Sequence, residues 1–181
     1  MPVTTGNPDE VLLGAGTLYA APIGTTEPVD ASTALPSAWR EIGWTEDGST
    51  VNYELQTADV EVEEEFDPVK VVTTKRIGEV SFQMAQVTRA NLALALNKGA
   101  SGQTGTSILE PPDPGDEVRV MLVLDTEEGA RYIFRRCVQS GRISINRKKA
   151  PDKATIPVTF KLEKPSGDAP FGVFPSATST V

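Results

Sequence analysis

The residue types that most often carry out catalysis are scarce in this chain. It contains one cysteine, Cys137, and no histidine, so it lacks the commonest general base and metal ligand. Cys137 lies in a segment with strand-like alternation, where no histidine can activate its thiol. A small core or interface residue is therefore the favoured interpretation. The sequence predicts no catalytic residue, no cofactor, no metal site and no enzymatic activity.

Short glycine-rich and acidic motifs do not add a ligand site. GAGTLY, at 14–19, has two glycines of a dinucleotide-binding fingerprint but lacks the third, and GASGQTGTS, at 99–107, contains no Gly-Lys-Ser/Thr. DTEEG, at 125–129, lacks the ligand spacing of a calcium loop. A hairpin turn explains it better.

The stretch VEVEEEFDP, at 60–68, combines strand-like alternation with four glutamates and one aspartate. Both residue types are poor strand formers, and like charges on neighbouring strands repel by roughly 1 kcal/mol per close pair in water. The acids could bind a divalent cation only loosely, because alternate strand positions direct carboxylates to opposite faces. An interaction with molecules outside the single subunit would account for these acidic residues.

Charge is unevenly distributed along the chain, whose net charge is −8. Residues 41–69 contain ten acids and no base, whereas residues 131–153 contain eight bases and one acid. The acidic balance argues against a clamp on nucleic-acid phosphates, which needs Lys and Arg. Two interpretations remain open: two solvated faces, or complementary surfaces on neighbouring subunits.

Length and hydropathy limit the class of protein. A chain of 181 residues fits one domain with long arms, and a domain of this size can bury a core without disulfides. The first ten residues lack the basic region and apolar run of a signal peptide, and the longest strongly apolar run is VMLVL, at 120–124, which is too short to span a membrane. We expect a protein that is cytosolic or assembles in the cytosol.

Alternation predicts several strands in the first half of the chain. They are a strand at 11–21, a long connection at 22–38, an EDGS turn, and a hairpin of two long strands at 51–66 and 70–86. The apolar residues of the first long strand change parity, which indicates a bulge near 56–58. Val60 and Val62 are then expected to face the core, together with Val80, Phe82 and Met84.

The second half predicts one helix and four further strands. Thr88 can cap a helix at about 88–98, with Gly99 at C′ and an apolar stripe of Leu92, Ala95 and Leu96. Strands are predicted at 118–125, 131–138, 142–146 and 155–163, and the proline-containing tail at 165–181 is expected to be an extended arm. The predicted fold class is mainly β, an antiparallel β-sandwich or partial barrel with one α-helix.

The order of these segments resembles a known family. Residues 18–54, LYAAPIGTTEPVDASTALPSAWREIGWTEDGSTVNYE, are similar to the N-terminal part of major tail tube proteins of long, non-contractile bacteriophage tails. IGEVSFQMAQVTRANLALAL, at 77–96, resembles the family's long strand leading into its single helix, and IPVTFKLEKP, at 156–165, resembles its last strand. The similarity extends from about Leu18 to Pro165.

This resemblance implies a structural protein of the virion tail, with the fold of phage and type VI secretion tubes. The family forms hexameric rings that stack into a hollow tube, in which long strands from each subunit join a barrel around the lumen and through which phage DNA passes. The implied partners are other copies of the chain, a tape measure protein, a tail terminator and distal tail tip proteins. Assembly is expected in the host cytoplasm, without membrane insertion.

For this chain, the resemblance suggests a β-sandwich domain at 1–165, including loop 22–38, and a C-terminal arm at 166–181. Acidic and polar residues of the long hairpin would line a lumen that repels DNA phosphates. Loop 22–38, the basic loop at 146–153 and the arm at 166–181 would reach neighbouring subunits. Within one chain these segments would gain too little stabilisation to stay ordered. The expected lumen residues are Glu61, Glu63, Glu79, Ser81 and Gln83, and the expected inter-subunit residues are Arg147, Lys148, Lys149, Phe171 and Phe174.

Alternatives stay open at the level of sequence. For the acidic stretch, the rival of a lumen is an interface with the basic 131–153 region of a neighbouring subunit. For the whole chain, one rival is a non-catalytic β-sandwich module that binds carbohydrate on a virion or cell surface, which would need an exposed aromatic platform. The other is an enzyme of unknown type, which the missing histidine and the absence of convergent polar motifs disfavour.

Overall fold

The computed structural model describes residues 16–63, 65–101, 107–145, 149 and 152–176. These residues form eight strands and one α-helix, so the predicted fold class, mainly antiparallel β with a single helix, is confirmed. In chain order the elements are β1 (Gly16–Pro22), β2 (Arg40–Glu41), β3 (Thr45–Val60), β4 (Lys70–Met84), α1 (Arg89–Ala95), β5 (Val120–Thr126), β6 (Arg131–Gln139), β7 (Ile156–Leu162) and β8 (Phe171–Phe174).

The eight strands belong to one antiparallel sheet that curls into a partial barrel. Their order is β2-β1-β5-β6-β7-β4-β3, and β8 pairs with β6 away from this path. β2 and β3 stand at opposite ends of the order, yet only residues 42–44 connect them. Because so short a link spans at most about 14 Å, the two ends of the sheet must lie close together. Accordingly, β1 contacts β3.

The main core fills the inside of the curled sheet. Val80, Phe82 and Met84 of β4 are buried, which confirms the inner face predicted for this strand. Phe82 stacks on Phe160 of β7, with 5.8 Å between ring centroids. Leu94 of α1 belongs to the same cluster, so the helix packs its buried face against the strands.

The helix begins where the sequence predicts and ends earlier. Thr88 is the N-cap, and its side chain accepts a backbone hydrogen bond from the first turn. Helix α1 ends at Ala95, and Asn97, with a φ of 56°, occupies the left-handed C′ position expected for Gly99. The backbone hydrogen bonds that follow are those of a Schellman motif. The buried helix residues are Asn91, Ala93, Leu94 and Ala95, which differ from the predicted stripe of Leu92, Ala95 and Leu96.

The long β3–β4 hairpin is confirmed, with two irregularities. The register shifts between Gln56 and Thr57, as the parity change predicted, although the extra residue is Thr74 on β4. Its hydroxyl donates a hydrogen bond to the Gln56 carbonyl, at 3.1 Å. The predicted EDGS turn lies within β3 as a second bulge, because Asp47 and Gly48 interrupt the pairing and both have positive φ.

The acidic stretch does not continue the strand. β3 ends at Val60, so residues 61–63 and 65–69 form the end of the hairpin, here named the hairpin tip. Val60 and Val62 are 41% and 40% exposed, so the prediction that they face the core is wrong. The reason is the length of the neighbouring strand: β7 pairs with β4 only as far as Glu79, and no described residue covers Val60 or Val62 beyond that point.

In the C-terminal half, one predicted strand is absent from the described residues, and the structure contains one strand that was not predicted. The β5–β6 hairpin and β7 are confirmed. Residues 142–145 are not a strand, and Asn146, like residues 11–15 of the predicted first strand, lies outside the described residues. Phe171–Phe174 pairs with β6 as β8, although the sequence places this segment in an arm. Pro157 is accommodated because β7 pairs there with β4 alone.

The connection at 22–38 packs on its own sheet. A second apolar cluster, centred on Trp39 and Ile133, lies on the outer face of β1, β5 and β6. The Trp39 indole donates a hydrogen bond to the Thr26 carbonyl, at 3.0 Å, and Arg131 donates to two further carbonyls of the connection. The prediction that this segment gains too little from one chain to be ordered is therefore wrong.

Candidate assembly surfaces

Beyond the barrel, β3 and β4 continue as a two-stranded ribbon, here named the distal hairpin (residues 52–60 and 70–77). Apolar side chains are exposed along it, although two-stranded hairpins are marginally stable by themselves in water. Such side chains in an uncovered ribbon indicate a surface that another molecule covers. The exposed large apolar residues of the distal hairpin are Tyr53, Leu55, Val60 and Val71, and those of the tip are Val62, Phe66 and Val69.

The distal hairpin also has unpaired strand edges. β3 is the terminal strand of the sheet order, so its outer edge has no partner strand among the described residues. Residues 70–78 of β4 pair with β3 but not with β7. Unpaired N–H and C=O groups on long edges favour pairing with a strand of another chain.

Three of the predicted lumen residues share the outer face of the barrel. Glu79, Ser81 and Gln83 alternate with the buried residues of β4 and therefore point away from the core. Glu79 lies 3.8 Å from the Lys161 ammonium, and Ser81 shares a 3.0 Å hydrogen bond with Thr159. This face is polar, and its Glu79 charge is partly offset within the chain.

Glu61 and Glu63, the other two predicted lumen residues, do not belong to this face. Both lie in the hairpin tip, beyond the last residue of β3, and both are exposed. The alternation argument that grouped them with Glu79 therefore does not apply, because residues outside a strand have no fixed face of a sheet.

Two arginines of the basic 131–153 segment have acidic partners within the chain that lie outside the acidic 41–69 segment. Arg131 pairs with Asp125, and Arg135 pairs with Glu27. The two segments do meet at Lys153, which lies 3.5 Å from Glu46 on a largely exposed side chain. Of the predicted inter-subunit residues, Lys149 is exposed, whereas Arg147 and Lys148 lie outside the described residues.

Arg136 completes a small ionic cluster with Arg119 around Glu163. The Arg136 and Arg119 side chains donate to the Glu163 carboxylate at 2.7 Å and 3.3 Å. Partial burial raises the pKa of Glu163, but these hydrogen bonds outweigh it and leave the pKa below its usual value. The carboxylate is therefore ionised at neutral pH and holds the end of β7 to β6.

Phe171 and Phe174 have partners within the chain. Phe171 packs edge-on against Tyr53, with 5.4 Å between ring centroids, and lies 6.4 Å from Phe134. Phe174 packs against the cluster beneath the 22–38 connection. Both rings therefore pack on the chain's own sheet, and a further role for them at a subunit contact remains a prediction.

A cavity of about 650 Å³ lies at the base of the hairpin, between Tyr53, Leu162 and Phe171. Arg76 and Lys164 stand among its lining residues. We name it the basal cavity. Sequence reasoning missed it, because its walls come from β3, β4, β7 and the segment before β8, which only the fold brings together.

Cys137 has the inert surroundings that the sequence predicts. It is fully buried in the main core, and burial raises the pKa of its thiol well above the usual range. A protonated, inaccessible thiol is not a nucleophile. Among the described residues, no helix has the length and apolar character needed to cross a membrane.

The main exposed features of the described residues are a hairpin with unpaired edges and a polar sheet face. Such surfaces are suited to contacts between the subunits of an assembly. The family model described as Phage tail tube protein matches residues 4–173, and the chain belongs to this family. It is therefore a structural phage tail protein, and the family implies self-assembly into a tube. No curated protein sequence matches the chain significantly.

Among solved structures, the chain is similar to a chain of "Cryo-EM structure of the anti-feeding prophage (AFP) baseplate, 6-fold symmetrised". The sequence identity is 9%, the TM-score is 0.45, and the match covers 93% of this chain and 97% of the other.

Proposed function

We propose that the protein forms hexameric rings that stack into a hollow tail tube, through which phage DNA passes into the host cell. The observation that carries this proposal is the distal hairpin, which exposes apolar side chains and whose outer strand edges have no partner strand among the described residues of one chain. In a ring, the hairpins of neighbouring subunits would pair edge to edge and extend the sheet around a channel. Hairpin pairing would also shield the apolar residues from water.

We propose further that the face carrying Glu79, Ser81 and Gln83 lines the channel. Hydroxyl, amide and carboxylate groups dominate this face, and the Lys161 cation is offset by Glu79. Such a surface has no cluster of cations that could bind DNA phosphates and displace their counterions. Low adhesion, rather than strong repulsion, is what this arrangement supports.

The remaining partners follow from a tube of this kind. A tape measure protein within the lumen, a tail terminator at one end and distal tip proteins at the other would complete the tail, with assembly in the host cytoplasm. The role is structural and non-catalytic. A carbohydrate-binding module has less support, because the fully exposed Phe66 and the largely exposed Trp44 lie apart in sequence and on different elements.

Assembly is the first test of this function. We expect the purified full chain, at high concentration or with its tail partners, to form six-fold rings or tubes visible by negative-stain electron microscopy. The physical reason is that covering the hairpin removes apolar surface from water, at roughly 25 cal/mol per Å². A monodisperse monomer under every assembly condition, and in finished virions, would contradict the proposal.

The lumen assignment is tested by adding cations to the polar face. Ser81→Lys with Gln83→Lys should leave tubes intact but slow DNA ejection from virions on the order of tenfold, because each substitution becomes a circle of cations around the DNA. The delay should shrink at high salt, as screening sets in. Ejection is measured by dye fluorescence of released DNA.

Glu110→Gln with Asp113→Asn is the matched control, because it makes the same change in net charge on an exposed loop. It should leave the ejection rate unchanged. Normal ejection by the Ser81/Gln83 variant, or loss of tubes, would show that this face does not line the channel.

A further inference from the structure

The basal cavity has an apolar floor that is open to solvent. Leu162 and Phe171 line it, and the ring of Tyr53 forms a wall against Phe171. Gly78, also in the lining, lets the Leu162 side chain pack directly on the β4 backbone, because a Cβ at this position would lie 2.6 Å from Leu162 Cδ1. A volume of about 650 Å³ lies within the range of about 300–1,000 Å³ typical of binding pockets. The cavity can therefore accept a large apolar side chain.

The rim of the basal cavity is cationic. Arg76 and Lys164 stand beside Asp168, the one acid among the lining residues, which leaves a net positive charge. Within the described part of the chain, neither Arg76 nor Lys164 forms an ion pair. An occupant that combines an apolar anchor with negative charge fits both properties.

The hairpin tip has this combination. Phe66 is fully exposed, at 108%, which is unusual for the most apolar aromatic side chain. Acidic residues flank it on both sides, Glu65 and Asp67 directly and Glu63 nearby, and residues 61–69 contain no base. The tip thus presents an exposed phenylalanine whose neighbours in the sequence are exposed carboxylates.

The tip cannot reach the cavity of its own chain. Tyr53 pairs with Gly78 at the cavity, and Val60 pairs with Lys70 at the far end of the same ladder. Seven residues of strand separate the two pairs, which is about 23 Å at roughly 3.3 Å per residue. Because the ladder is paired throughout this interval, it cannot fold back, and only another copy can supply the tip.

We propose that Phe66 of one subunit inserts into the basal cavity of a second subunit, with its flanking carboxylates against Arg76 and Lys164. This inference rests on the proposed function, and it names the contact that joins the subunits. Tip and cavity are different surfaces, so the contact is head-to-tail and leaves each end free for another copy. Such a contact builds a ring or a growing stack rather than a closed dimer.

Truncation of the anchor tests the apolar half of the contact. Phe66→Ala should raise the protein concentration needed for tube formation at least about tenfold, as expected for a buried aromatic anchor. Phe66→Leu should recover most of the loss. The thermal unfolding of the free subunit should not change in either variant, because this ring touches nothing in a single chain.

A charge swap tests the polar half. Arg76→Glu with Lys164→Glu should block assembly, and so should Glu63→Lys with Glu65→Lys. Mixing the two variants should restore assembly if they alternate. The positive tip of one variant then meets the negative cavity of the other, and the negative tip of the second meets the positive cavity of the first. Glu110→Lys with Asp113→Lys, which makes the same charge change as the tip variant, should assemble normally.

Disulfide trapping identifies the partner directly. A chain carrying Glu65→Cys and Ala169→Cys, which retains Phe66, should give a ladder of dimers, trimers and longer species on a non-reducing gel after mild oxidation of tubes. Each single variant should stay monomeric. Tubes that form at the wild-type concentration with Phe66→Ala, or that give no ladder, would overturn the contact while leaving tube formation standing. A wild-type chain that never assembles would overturn both.

Discussion

Replacing Arg131 with methionine is expected to lower the free energy of unfolding by about 2–4 kcal/mol. The Arg131 guanidinium, on a side chain only 5% exposed, donates to both carboxylate oxygens of Asp125, at 2.6 Å and 2.8 Å. It also donates to the carbonyls of Asp30 and Thr33. Methionine fills similar space but leaves a carboxylate and two carbonyls without their donor, and breaking such a pair costs about 3–5 kcal/mol when fully buried. Urea unfolding measures the change.

Arg136→Met is the matched control for this prediction. Arg136 lies on the same strand and also pairs with a carboxylate, but its side chain is 39% exposed. Exposed ion pairs contribute about 0–1 kcal/mol, so this variant should lose no more than that. Equal losses in the two variants would mean that the Arg131 contacts with the 22–38 connection add nothing. Hydrogen exchange should also rise at residues 26–35 in Arg131→Met alone.

The role of Arg131 changes how the basic segment is understood. From sequence, its charges could belong to a solvated face or to a surface that meets the acidic segment of a neighbour. The structure uses Arg131 and Arg135 to fasten the 22–38 connection to its own sheet. Unpaired cations appear instead at the basal cavity, where Arg76 and Lys164 had not been singled out.

The local sequence patterns correctly predicted those elements whose side chains are covered by a neighbouring layer of the same chain. The alternation of Val80, Phe82 and Met84 correctly gave the inner face of β4, and Thr88 correctly marked the start of the helix. In both cases the residue pattern and the tertiary packing act in the same direction. The parity change near Gln56 correctly marked the position of a register shift. The extra residue is Thr74 on β4, however, so the shift leaves the alternation of β3 itself unchanged.

The same alternation was misleading at the hairpin tip. Val60 and Val62 have the spacing of core residues, but strand spacing shows only that residues share a face, not that anything packs on that face. The end of β7 decides this, because its pairing with β4 stops at Glu79. A chain that assembles with copies of itself can carry apolar alternation whose covering layer belongs to another subunit.

Strand β8 was missed for the opposite reason. Phe171–Phe174 is short, follows two prolines and one glycine at 165–170, and has no alternation of its own. It is held by pairing with β6 and by the packing of Phe171 against Tyr53. The basal cavity depends on the same long-range contacts, so no local signal could have revealed it.

Closure of the barrel depends on a polar residue that no apolar pattern would single out. Asn91 is buried in α1, and its amide group donates to the carbonyls of Ile42 and Gln86, both at 2.9 Å. Its amide oxygen accepts from Arg40, also at 2.9 Å. These bonds join the helix to the link between β2 and β3, where the two ends of the sheet meet.

Asn91→Ala is therefore expected to lower the free energy of unfolding by about 2–4 kcal/mol, since each buried group left without a partner costs about 1–3 kcal/mol. For a chain of this size that corresponds to a fall in Tm of about 5–15 °C, measurable by calorimetry. Asn52→Ala removes the same side chain from an exposed position on β3 and should change stability by no more than about 0.5 kcal/mol. A similarly small change in Asn91→Ala would contradict the role of this amide. The defect of Asn91→Ala should therefore appear in the unfolding of the free monomer, whereas Phe66→Ala should fold with unchanged stability and be impaired only in assembly.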